Sequence, residues 1–180
     1  MLRITVPNNE LWDEKNSQFI VIKEQKLQLE HSLVSLSKWE SKWHKPFLAK
    51  EPKTHEETID YIKCMTITQN VDPNVYLAFT KENMEAINKY IEDPMTATTI
   101  NSDKNAKKNR EIVTSEIIYH WMIALNIPLE CEKWHLNRLL TLIQVCNIKN
   151  SPPKKQSRRD ILSQNAKLNA ARRKQMNSRG

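Results

Sequence analysis

Three cysteines, Cys64, Cys131 and Cys146, and two histidines, His120 and His135, are the side chains of this 180-residue chain best suited to chemistry. Cys131-x3-His135 has the spacing of two ligands one helical turn apart. A structural zinc site needs four ligands, usually as two close pairs. His120 and Cys146 supply no second close pair, so the pattern reads as a core thiol beside a boundary histidine. No metal and no other cofactor is expected. A cysteine and a histidine brought together in space can act as nucleophile and base, but no glycine-rich turn or oxyanion nest accompanies any of these residues. Glycine occurs once, at Gly180. Phosphate-cradling loops need glycine for positive φ and close backbone approach. A P-loop, a dinucleotide fingerprint, a kinase Gly-rich loop and a G-x-S-x-G elbow are therefore excluded. The paired carboxylates Glu56-Glu57, Glu92-Asp93 and Glu130 with Glu132 fall at predicted helix ends, where charge favours the helix dipole. An enzyme is not expected.

The remaining candidates are binding residues. Five tryptophans are many for this length. Trp39 and Trp43 are four apart and share a helix face. Trp121 and Trp134 flank a predicted helical hairpin. Core packing is the first reading, and a recessed groove for a partner's apolar segment is the second. Lys38, Lys42 and Lys45 accompany Trp39 and Trp43, a mixture that can also stack bases. The net charge of +7 is uneven. Residues 151–180 hold Lys154, Lys155, Arg158, Arg159, Lys167, Arg172, Arg173, Lys174 and Arg179 against Asp160 alone. This basic tail fits nucleic acid through its phosphates, an acidic protein, or a role in solubility.

The elements that must position these residues follow from pattern. Leu2, Ile4 and Val6 alternate with polar neighbours, as do Leu27 and Leu29, which predicts strands. Residues 13–17 between Leu11-Trp12 and Phe19–Ile22 predict a hairpin turn. Residues 1–31 thus form a small antiparallel β-meander of the core domain. Residues 32–95 form a first helical part. Ser32 caps a helix to about His44, and Thr54-x-x-Glu57 is a capping box for a helix bearing Ile59, Ile62, Met65 and Ile67. Asp72-Pro73 starts a short helix and Thr80 caps the next, with Met84, Ile87 and Ile91 on one side. Residues 96–111 are a polar loop or hinge. Residues 112–150 form a helical hairpin: Thr114 or Ser115 caps one helix, Pro128 breaks it, and a second runs from Cys131 to Cys146. That hairpin is expected to be the core. Residues 151–180 are the basic extension, helical over about 160–177 but too thin in apolar residues to fold alone. The fold class is α+β, mostly α. Three unpaired cysteines, no signal peptide and no apolar run of membrane-spanning length predict a soluble cytoplasmic protein without membrane contact.

One ordered set of segments carries a resemblance. It comprises Leu27-Gln28-Leu29-Glu30-His31-Ser32-Leu33, Lys38-Trp39-Glu40-Ser41-Lys42-Trp43 and Tyr61-Ile62-Lys63-Cys64-Met65-Thr66-Ile67. Then come Glu116-Ile117-Ile118-Tyr119-His120-Trp121-Met122 and Trp134-His135-Leu136-Asn137-Arg138-Leu139-Leu140, with a basic Asn/Ala/Arg-rich end. This resembles small proteins of tailed bacteriophages and prophages of Gram-positive hosts, in the place of the tail assembly chaperone. The resemblance implies a non-enzymatic factor that binds the tape-measure protein and tail tube subunits, forms homo-oligomers, and works in the host cytoplasm. Alternatives are a structural virion component of the head–tail or baseplate region, and a nucleic-acid-binding factor anchored by the tail. Under the resemblance Trp39, Trp43, Trp121 and Trp134 are the partner-binding residues.

Overall fold

The computed structural model describes residues 1–13, 17–100, 112–151 and 158–176. The N-terminal region holds four strands: β1 (Leu2–Val6), β2 (Asn9–Asp13), β3 (Gln18–Ile22) and β4 (Gln25–Leu29). Together with the helices they give the expected α+β, mostly α fold, with a small antiparallel region packed on helices. The strand pairing is nested rather than sequential. β2 pairs with β3, and β1 pairs with β4 in the register Leu2↔Leu29, Ile4↔Leu27, Val6↔Gln25. Alternation explains the choice. Ile4, Val6, Leu27 and Leu29 are buried on one face of the outer pair, while Arg3, Thr5, Lys26 and Gln28 are exposed on the other. Pairing β1 with β4 gathers the buried row into one surface. The residues between β2 and β3 at 14–16 lie outside the described residues.

Helix starts follow the capping chemistry. α1 (Leu33–Trp43) begins at Ser32, whose hydroxyl accepts from Ser35 N–H. α2 (His55–Met65) has the Thr54/Glu57 capping box, and Ile67 lies beyond its end, exposed. Asp72 caps a 3-10 turn over Pro73–Ala78. Thr80 and Asn83 form a capping box for α3 (Lys81–Glu92). α4 (Ser115–Ala124) starts at Thr114, but the Thr114 hydroxyl makes no cap bond. α5 (Leu136–Asn150) starts later than its apolar pattern suggests. Leu129–Lys133 forms a 3-10 turn instead, and Ser32 bridges His135 while Leu136 N–H donates to His31 O at 2.7 Å. A backbone N–H spent on a distant strand end cannot extend a helix backwards, so Cys131 and His135 never share one. With glycine confined to Gly180, the left-handed turns fall on Ser17, His44, Asn70, Met95 and Asn126. Of the loop expected over 96–111, residues 101–111 lie outside the described residues.

The core is not the 112–150 hairpin alone. Residues Met1–Asn147 form one compact unit with two buried clusters. The first joins the strands to Trp39, Ile62, Met65 and Ile87. The second joins Leu33 and Leu36 to Ile118, Met122, Leu136 and Leu139. α1 serves both: its N-terminal turn faces the second cluster and Trp39 the first. Residues Ile148–Gly180 form the other unit. It contains α6 (Arg158–Gln175), whose described side chains are exposed. Among the described residues no helix is long and apolar enough to cross a membrane.

Between the two clusters sits a buried polar joint. His31 Nδ1 and Tyr61 Oη share a hydrogen bond at 2.5 Å. The His31 and His135 rings meet edge to face at 5.0 Å. Asn137 N–H donates to His135 Nδ1 at 3.3 Å, and His135 Nε2–H donates to Tyr90 O at 2.9 Å, which specifies one neutral tautomer. Tyr90 Oη–H donates to Glu30 at 2.6 Å, and Glu30 also pairs with the N-terminal ammonium. Desolvation, and then the neighbouring His135, press His31 from 6.5 down to about 3.

Two predictions follow from these features. A depressed histidine binds its proton in the unfolded chain first, so His31 stabilises the fold above pH 6.5 and loses that contribution as pH falls towards 3. Urea unfolding across this window will show stability falling as pH falls through this group, and His31→Asn will flatten that slope. An unchanged slope in that variant contradicts the assignment. At the end of α1, His44 is exposed with φ 52°. His44→Gly will raise the unfolding free energy by about 1 kcal/mol, and a lower value in the same assay contradicts the strain.

Candidate functional site

The candidate cysteines and histidines lie on different elements. Cys131 is buried in the 3-10 turn, Cys146 is half-buried on α5, and His120 is exposed on α4. Burial raises both the Cys64 and Cys131 thiols, which disfavours a thiolate nucleophile. Both nitrogens of His135 are engaged, as described above. Among the described residues no group of three or more His, Cys, Asp or Glu is placed to hold a metal. One member of each carboxylate pair is tied into the scaffold. Glu57 is buried, accepts Thr54 N–H at 2.8 Å and pairs with Lys45 at 2.6 Å. Lys45 and the Thr54 amide hold its carboxyl below the ordinary value. Asp93 accepts Met95 N–H at 2.7 Å, and Glu132 accepts Tyr119 Oη–H at 2.9 Å.

The Trp39/Trp43 face is spent within the fold. Trp39 is 1% exposed, and its indole N–H donates to Glu57 O at 2.9 Å. Trp43 stacks beside it at 6.2 Å and donates to Asp60 Oδ2 at 2.9 Å. Lys42 pairs with the other Asp60 oxygen. Burial alone would raise the Asp60 carboxyl, but the bonds from Lys42 and Trp43 outweigh it and the group sits below its usual value. These contacts staple α1 to α2. They engage the tryptophans and two of the three lysines that sequence offered to a partner. Trp134 is half-buried, with the Arg138 guanidinium 4.2 Å from its ring centre.

Trp121 has a different setting. It lines a cleft of about 960 Å³ in the first unit. Leu48 and Pro52 form one wall, from the loop after α1. Ile112 and Val113 lead into α4, and Leu140 and Ile143 come from α5. Lys50, Glu51, Gln144 and Asn147 supply the polar lining. The walls are held by one buried carboxylate. Glu40 on α1 is 7% exposed; its Oε1 accepts Phe47 N–H at 2.8 Å and its Oε2 accepts Ser115 N–H at 2.7 Å. It therefore anchors the loop and provides the cap that Thr114 does not. An anion at the first helical N–H is favoured by the helix dipole.

Sequence reasoning found Trp121 but missed Glu40 and the other walls. No local signal marks Glu40, because its two partners are 7 and 75 residues away. A second uncovered surface lies on the β2–β3 hairpin. Trp12, Phe19 and Val21 are 52%, 66% and 60% exposed on one face, with Trp12 and Phe19 in edge contact at 4.9 Å. Of the basic tail, Arg158, Arg159, Lys167, Arg172, Arg173 and Lys174 lie on α6. Lys154, Lys155 and Arg179 lie outside the described residues. Comparison with protein-family models, curated proteins and solved structures gives no match.

Proposed function

We propose that this chain is a non-enzymatic assembly factor of tailed-phage tails, a chaperone that binds the tape-measure protein and tail tube subunits. The observation that carries the reading is the Trp121 cleft. Its walls are apolar and its polar groups few. Mostly apolar walls with a few polar residues among them suit the apolar stripe of an amphipathic helix laid into a groove. Long tape-measure helices offer such a stripe before the tail tube encloses them. The cleft is the helix site and Trp121 its aromatic anchor.

The exposed Trp12, Phe19 and Val21 face favours a second reading. A structural virion subunit would cover these side chains with a neighbour. The two readings separate on purified particles: the chaperone is absent from mature virions, whereas the structural subunit is present in fixed stoichiometry.

The cleft is tested by affinity capture from nuclease-treated lysate of the phage-producing host. Wild-type protein will retain the tape-measure protein. Trp121→Ala, and Leu48→Glu at the partly exposed wall, will each weaken that capture about tenfold or more, as loss of an interface anchor does. Trp12→Ser will leave it unchanged. Undiminished capture by both cleft variants, or stoichiometric protein in virions, contradicts the reading.

A further inference from the structure

α6 carries a charge pattern that the cleft does not explain. It is an 18-residue helix, about 27 Å long. It holds six cations against Asp160, the one acid in its sequence. None of the six pairs with a carboxylate among the described side chains, and all six are exposed. Cations left unpaired on one helix repel one another unless an external anion answers them. Four of the six are arginines, whose planar forks match phosphate oxygens.

Their placement narrows the anion. At 3.6 residues per turn, Arg158, Leu162, Asn165, Asn169, Arg172 and Arg173 fall on one face. Two carboxamides one turn apart sit between arginines at the two ends of the helix. Asn side chains hydrogen-bond base edges, and arginines at their flanks reach phosphates. Leu162 shares the face, where an apolar side chain can meet a thymine methyl, and Ala166 beside it adds no bulk.

We infer that α6 is a docking helix for double-stranded DNA, lying in the major groove with Asn165 and Asn169 towards the bases. The B-DNA major groove is about 12 Å wide and admits an α-helix. The major groove of duplex RNA is deep and narrow and does not. Single-strand binders stack bases on aromatic side chains, and α6 has none. A membrane-surface helix needs a broad apolar face, whereas Ile161 and Leu168 form only a narrow strip and Leu162 stands among the arginines. The inference rests on α6 alone and stands independently of the cleft.

The test is fluorescence polarisation of the full chain with a 24-bp DNA duplex, the same sequence as single strand, and the matching RNA duplex, from 50 to 200 mM salt. Duplex DNA will bind tightest, with affinity falling steeply as salt rises. Arg158→Gln/Arg172→Gln/Arg173→Gln, built with a residue of good helix propensity, will reduce the salt slope by about 3. Circular dichroism will show its helix content unchanged. Equal or tighter binding of RNA or single strand overturns the inference. So does an unaltered slope in the triple variant, or capture of polyglutamate with no duplex binding.

Discussion

The buried carboxylate of Glu40 is the interaction on which the rest of this structure turns. Removing a charged group from water is costly unless its lone pairs are answered. Two backbone N–H groups answer them, one from the loop after α1 and one from the first turn of α4. Leaving either amide unsatisfied costs about 1–3 kcal/mol. The bond thus locks together segments far apart in sequence. It also spaces the two walls that, with α5, enclose the Trp121 cleft. α1 can carry this bond because both of its ends are already fixed, Leu33 and Leu36 in one cluster and Trp39 in the other.

Much of the local structure is legible in the sequence because its causes are local. Ser32, Thr54, Asp72 and Thr80 each cap the element they precede. Alternation at Leu2, Ile4, Val6, Leu27 and Leu29 announces strands. What escapes is set at long range. The β1–β4 pairing depends on which row of side chains the helices cover. The late start of α5 depends on Leu136 N–H reaching His31 O. Apolar periodicity from Cys131 onward continues through a 3-10 turn, so it cannot mark the true boundary. The site follows the same rule. Trp121 is conspicuous by type, but its neighbours Leu48, Pro52 and Leu140 are ordinary residues brought together by folding.

The tryptophans show how one residue type divides between structure and surface. Trp39 and Trp43 share a face as their spacing requires, yet their indole N–H groups are consumed by Glu57 and Asp60. A partner that used them would have to break the α1–α2 staple. Trp121 retains its place on an open wall, and Trp12 lies on an exposed strand face. Among the described residues, surfaces open to a partner include the cleft, the β2–β3 face and the exposed side chains of α6.

Glu40 fixes the spacing of the cleft walls through its two backbone bonds. Amide hydrogen exchange of wild type and Glu40→Gln tests it directly, because the carboxamide can accept from only one of the two amides through its oxygen. Glu40→Gln will exchange faster in the 44–52 loop and the first turn of α4, with the β1–β4 ladder unchanged and capture of the proposed tape-measure partner reduced in parallel. Equal protection in both proteins, or loosened walls with capture intact, would contradict it.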